Sequence, residues 1–247
     1  MAWRRSRAAR RRTAVWSPAC ATCSSEPDLT SAVIAAFFDV DRTLVPGTSL
    51  EQLFVIWLFR RGHLGPLDAV RVALGVAPLL REARRRGYLE YHAYLAGRSE
   101  GEVRCWAAQC FEEWIRPRVS SQGAARLAEH RTAGHLTVLL SGSIQPLVDR
   151  LGLWVEADLA VGTELETRHD RYTGHVAGRH IAADQKVVRV LELARQHGFD
   201  LANSFCYADH RTDVAMLERF GHPMPTNPDP TLARIARERG WSICRFG

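Results

Sequence analysis

Of the chain's 33 lysine and arginine residues, only Lys186 is lysine. It stands in "RHIAADQKVVRVLELA", where Val187, Val190, Leu191 and Ala194 recur at helical spacing and Asp184 is a fitting N-cap. That places Lys186 in the first turn of a helix, where the macrodipole disfavours a cation. A phosphate at the same helix start reverses the balance, because backbone N–H groups and the ammonium then face one anion. Lysine offers a compact point charge that the planar fork of arginine does not imitate. An arginine-rich composition explains why lysine is scarce, but not why it sits here.

Other residues able to do chemistry stand at the ends of apolar runs. "VIAAFF" leads into Asp39, Asp41 and Thr43, and "LTVLL" into Ser141 and Gly142. "SFCYA" leads into Asp209, with Asp213 close behind. Singly, each is an ordinary turn or helix cap. Together, four carboxylates gathered at one edge repel one another, and a hard divalent cation relieves them. Oxygen-only ligands point to Mg²⁺ rather than zinc. A cation, a hydroxyl, a helix start and a lysine make a phosphate site. A carboxylate beside the bound phosphoryl group can then attack it.

These residues act together only if the fold converges them. Val33–Phe38, Leu136–Leu140 and the "SFCYA" run read as buried parallel strands. Between the first two lies a block of helical pattern. One helix runs from a Ser49 cap to Gly62, and a second from Pro66 to Gly87. A third begins at Ser99, and "SSQGAARLAEHRTAG" closes the block at Gly134. Then come a short helix around Gln145–Leu151, strands about a polar turn at His169–Arg171, and the helix of Lys186. "VAMLERFG" reads as a helix, and the C-terminal stretch as a strand, a loop, a capped helix and a last strand at "SICRF". The alternation predicts an α/β fold: a doubly wound parallel sheet with an inserted helical cap domain. Ligands of such sheets bind at the carboxyl ends of the strands. The expected division is a tail over 1–31, a core over 32–48 and 134–247, and a cap over 49–133.

"FFDVDRTL", "LLSGS", Lys186 and "YADHRTD", in that order, resemble the four motifs of the haloacid dehalogenase (HAD) superfamily of phosphohydrolases. The placement of the helical insertion is similar to the branch containing phosphoserine phosphatase, subfamily IB. The resemblance covers about Val33 to Phe246. It implies a HAD-like Rossmannoid core and an Mg²⁺-dependent phosphomonoesterase acting on a small-molecule phosphate ester. By that resemblance Asp39 is the nucleophile, and Asp41 is the general acid and base, whose carbonyl also ligates the metal. Thr43 supports the loop and the bound phosphate. Ser141 and the Gly142 N–H clamp the phosphate, and Lys186 steadies Asp39 and the phosphoryl group. Asp209 ligates the metal, with Asp213 as second ligand or its support. The chain departs from the pattern at three places. Arg42 replaces a small residue. Thr48 stands where phosphoserine phosphatases carry an amine-reading glutamate, with Glu51 a turn later. His210 follows the metal aspartate. A phosphotransferase or a diphosphate-acting enzyme would keep the same residues. A noncatalytic binding protein would not need both carboxylates of the first motif.

The formal net charge of +6 looks like a nucleic-acid signal until it is located. Arg4, Arg5, Arg7, Arg10, Arg11 and Arg12 precede the first acid, Glu26, and the rest is near neutral. The stretch reads as a disordered basic extension; an upstream start or nonspecific contact with nucleic acid or anionic membrane are the other readings. Ser17 and Pro18 interrupt its apolar part, which fits a secretory signal poorly. Specific nucleic-acid binding is not expected. No apolar run reaches membrane-spanning length. Cys20 and Cys23 lack a second metal-binding pair. Cys105, Cys110, Cys206 and Cys244 read as buried thiols of a cytoplasmic protein. The cap aromatics Phe54, Trp57, Phe59, Trp106, Phe111 and Trp114 read mainly as cap core.

Overall fold

The structure is a computed structural model and describes residues 33–66, 68, 70, 92–178, 180–181 and 184–247. The tail, Cys20, Cys23 and most of the helix expected from Pro66 to Gly87 lie outside the described residues.

The first strand, β1 (Ala35–Asp39), is buried along its whole length. Helix α1 (Leu50–Arg60) follows, opened by a capping box in which Ser49 and Gln52 satisfy each other's backbone N–H groups. Helix α2 (Glu100–Cys110) starts with the same device, Ser99 with Glu102. It widens into a π-helical turn over Phe111–Ile115. Helix α3 (Ser121–Thr132) is capped by Ser120 and followed by Gly134 at φ 80°.

Strand β2 (Leu136–Ile144) runs past the expected apolar segment into the polar residues, with an irregularity between Leu140 and Ile144. Then come α4 (Gln145–Val155), β3 (Leu159–Thr163), the hairpin β4 (Leu165–Arg168) and β5 (Arg171–Val176), and α5 (Asp184–His197). The chain continues through β6 (Phe205–Ala208), the short α6 (Val214–Leu217), β7 (His222–Pro225) and α7 (Pro230–Glu238).

The five-stranded sheet has the order β3-β2-β1-β6-β7, and every pairing in it is parallel. Alternation along β1 sends Phe37 to one face and Phe38 to the other. Phe38, Leu139 and Tyr207 pack with Trp57, Leu127 and Leu151 beneath α1, α3 and α4. Phe37, Val138 and Cys206 pack with Val190, Leu217 and Leu232 beneath α5, α6 and α7. The sheet is therefore doubly wound, with a helical region inserted between β1 and β2.

The β4–β5 hairpin is bonded to that inserted region. His92 N–H donates to Gly174 C=O at 2.8 Å, and Tyr172 N–H donates to Arg98 C=O at 2.9 Å. Trp57, in turn, donates from Nε1 to Glu113 at 2.9 Å, tying α1 to the π turn. The cap aromatics are mostly core: Phe54, Trp57, Trp106 and Phe111 are buried, whereas Phe59 is exposed.

Three expectations need correction. The "SICRF" segment forms no strand, only a single bridge between Cys244 and Thr226. Pro223 and Pro225 lie on the outer edge of β7, where they offer no N–H to a further strand. The helix expected over "VAMLERFG" shrinks to Val214–Leu217. Of the four described thiols, Cys110 and Cys206 are buried, but Cys105 is exposed and Cys244 half-buried. Among the described residues, no helix is long and apolar enough to cross a membrane.

Candidate active site

The register of the central strands gathers the site. Asp39 pairs with Leu140, so Ser141 lies one step beyond it; Phe38 pairs with Tyr207, so Asp209 does too. These residues stand at the carboxyl edge of the sheet, where strand ends and helix starts leave room for a ligand. Lys186 reaches the same point from the first turn of α5. Asp184 stands in that same first turn.

Asp39 is held on both oxygens. Lys186 Nζ donates to Oδ1 at 2.7 Å and Thr43 Oγ1 to Oδ2 at 3.2 Å. Asp213 Oδ1 lies 3.0 Å from the same ammonium, an ion pair without hydrogen-bond alignment. Asp39, Asp213 and Lys186 are all buried. Burial works against the charge of Lys186, but Asp213 and Asp39 outweigh it and raise its pKa. Burial raises Asp39 despite Lys186, and raises Asp213 in the same way. Asp209 is pushed up to about 8, first by burial and then by Asp39 and Asp213.

Asp39, Asp209 and Asp213 offer oxygens that all lie within 4.8 Å of one another. Three buried carboxylates this close cannot ionise together without a counter-charge beyond one lysine. Burial raises all three first, and a neighbouring carboxylate adds to each. A hard divalent cation fits this all-oxygen set.

Asp41 is treated differently. Its Oδ1 accepts from the Leu50 N–H at 2.7 Å, at the start of α1. Ser141 Oγ donates to Oδ2 at 2.8 Å, and Ser143 Oγ lies 3.0 Å from both oxygens. Burial still dominates, so its pKa is raised. Ser141 therefore braces Asp41 here. Ser143 was missed by sequence reasoning, although a two-residue spacing in a strand puts it on the face of Ser141.

Gly142 permits a close approach. A side chain there would begin 3.1 Å from Ile181 C=O and 3.4 Å from the His180 ring. Thr163 fixes that loop, donating to Gly142 C=O at 2.8 Å and accepting from Ile181 N–H at 3.3 Å.

One residue past Leu50, Glu51 Oε1 accepts from Tyr94 Oη at 2.5 Å and faces His92 Nε2 at 3.0 Å. Burial alone would raise its pKa, but His92 and Tyr94 outweigh it and hold the carboxylate below its ordinary range. His92, Tyr94 and His180 carry no local signal in the sequence; only the fold joins them to Glu51. His210 caps the turn Arg211–Asp213 and lies 3.5 Å from Asp229.

A buried carboxylate cluster with one ammonium, at the carboxyl edge of a doubly wound sheet, defines a phosphohydrolase. The chain belongs to the haloacid dehalogenase-like hydrolase family, whose profile matches residues 36–218. It is 32% identical over 218 residues to the inhibition of morphological differentiation protein of Streptomyces azureus, covering 86% of this chain and 78% of that one. It is 26% identical to a histidinol-phosphatase of Neisseria meningitidis, covering 85% and 98%. A crystal structure of a protein of unknown function from Bordetella pertussis superposes with a TM-score of 0.77 at 27% identity, covering 88% of this chain and 100% of that one. Solved phosphoserine phosphatases share the fold.

Proposed function

We propose that the protein is an Mg²⁺-dependent phosphomonoesterase that hydrolyses a small phosphorylated metabolite through an aspartyl-phosphate on Asp39. The observation that carries this reading is the contrast between the two first-motif carboxylates. Asp39 is paired with the Lys186 ammonium and set for attack, while Asp41 is half-buried among neutral donors only, the Ser141 and Ser143 hydroxyls and the Leu50 N–H, set to give up a proton.

An oxygen of Asp39 attacks phosphorus as the ester oxygen departs and takes a proton from Asp41. Asp41, now a carboxylate, accepts a proton from water, which attacks phosphorus and frees Asp39. Lys186 steadies the charge on Asp39 and on the transferring phosphoryl group. The Gly142 N–H, with the Ser141 hydroxyl once it turns from Asp41, would hold its oxygens. Asp39, Asp209, Asp213 and the Asp41 carbonyl would hold Mg²⁺, which supplies charge neutralisation at the phosphoryl oxygens.

The half-buried Glu51 carboxylate, one residue past the Leu50 N–H that binds Asp41, supports a substrate that carries a cationic group. The Neisseria relative's histidinol phosphate, with its amine, is of that kind. We assign 32–48 and 134–247 to the core and 49–133 to the cap. We read residues 1–31 as a tail outside the chemistry and the location as cytoplasmic, which the free described thiols support.

The test is phosphate release from a panel of aryl and metabolite phosphates, with Mg²⁺ and with EDTA. Asp39→Asn is expected to lose at least about a thousandfold in kcat while keeping its fold. Equal release by wild type and variant across the whole panel would overturn the reading.

A further inference from the structure

Arg42 lies between the nucleophile loop's two anchored side chains and is itself exposed. Asp41 turns inward to Ser141 and Ser143, and Thr43 turns inward to Asp39. The Arg42 backbone is fixed, because its N–H donates to Thr48 C=O at 2.9 Å. Its φ is 63°, a left-handed conformation that glycine adopts without cost and arginine does not. Among the described residues the guanidinium has no hydrogen-bond or ion-pair partner, yet its charge reaches Asp209. An unfavourable backbone kept next to a reacting carboxylate, carrying an unengaged cation, is strain retained at a working position.

The charge of the site says what that cation serves. Asp39, Asp41, Asp209 and Asp213 converge with Lys186 as the one ammonium, and Lys186 is engaged by Asp39 and Asp213. With Asp41 protonated, Lys186 and one divalent cation only balance the other three carboxylates and leave no net positive charge for an entering phosphate dianion.

We propose that Arg42 is the residue that receives the phosphate at the mouth of the site. Its guanidinium pairs with non-bridging oxygens of the entering ester and of the departing inorganic phosphate. The planar fork matches two phosphate oxygens at once, which an ammonium does not. Long-range attraction to the dianion raises the association rate and makes kcat/KM fall with added salt.

This rests on the phosphatase reading, so the first measurement needs no turnover. Inorganic phosphate is titrated calorimetrically, with Mg²⁺ present, into wild type, R42A, R42K and R42G. We expect R42A and R42G to weaken phosphate by about tenfold, R42K to recover part of the loss, and the salt dependence to flatten in both uncharged variants. R42G, whose backbone suits the left-handed turn, shows that lost affinity is not lost folding. With a substrate from the panel, kcat/KM should fall and kcat hold in R42A. Phosphate affinity within twofold of wild type in both R42A and R42G would overturn the proposal, as would no phosphate binding by wild type. Wild type that binds phosphate but hydrolyses nothing would sink the phosphatase reading and leave Arg42 to be judged by the titration.

Discussion

Lys186 and Ser143 show how single side chains set the chemistry. Lys186 sits between Asp39 and Asp213 at 2.7 and 3.0 Å in a buried slot. Lys186→Arg keeps the charge but brings a planar group too wide for that slot. It should lose about a hundredfold in kcat while the circular dichroism spectrum stays native. Ser143 holds both oxygens of Asp41. Ser143→Ala should cost about tenfold in kcat on alkyl phosphates, whose alkoxide needs a proton to leave. The loss should nearly vanish on a nitrophenyl ester, which leaves without one. An equal loss on both would mean that Ser143 serves only the fold.

At the scale of elements, close approach of backbones brings the parts to bear. Helix α4 lies against β3 through Gly152, where an added Cβ would stand 2.7 Å from the Ala160 Cβ. Neither group can swing aside, so the helix must shift on the strand. Gly152→Ala should destabilise by about 1–3 kcal/mol, read as a fall in the urea midpoint at unchanged slope. The capping boxes at Ser49 and Ser99 act at this scale too. The first fixes the start of α1, from which Leu50 N–H reaches Asp41 at 2.7 Å. A local sequence signal is thereby joined to Asp41, the proposed general acid.

Across the whole molecule, two titrating groups link stability to solution conditions. The first is the carboxylate cluster. A cation that binds only the folded state stabilises it by mass action, so excess Mg²⁺ should raise the melting temperature relative to EDTA. Asp209→Asn should melt above wild type in EDTA, since one repelling carboxylate is gone, and should lose most of the Mg²⁺ increment. The second is His130, buried against Tyr207 at 2.8 Å and His135 at 2.9 Å. Burial, then His135 and Arg126, lower its pKa from 6.5 to about 4. The unfolded chain takes up this proton at higher pH than the folded one. Its contribution is therefore complete above the unfolded value and is lost as pH falls from 6.5 through about 4. The loss reaches about 3 kcal/mol at most. The melting temperature should fall more steeply with falling pH across that range for wild type than for His130→Gln.

The sequence by itself determined the strands that end in Asp39, Ser141 and Asp209, because buried parallel strands are continuous apolar runs and their polar stops are local. It also determined the capped helices and placed the lone lysine in a helical first turn. Only the tertiary structure decided that Ser141 and Ser143 both brace Asp41, since period and type fix a face but not a partner. It alone joined Glu51 to His92 and Tyr94, which lie more than a helix apart in sequence. It also bonded the β4–β5 hairpin to the inserted region and stopped the sheet at β7. Local pattern records what each segment buries. Which charges meet, and how far their pKa values move, depends on distances that no segment contains.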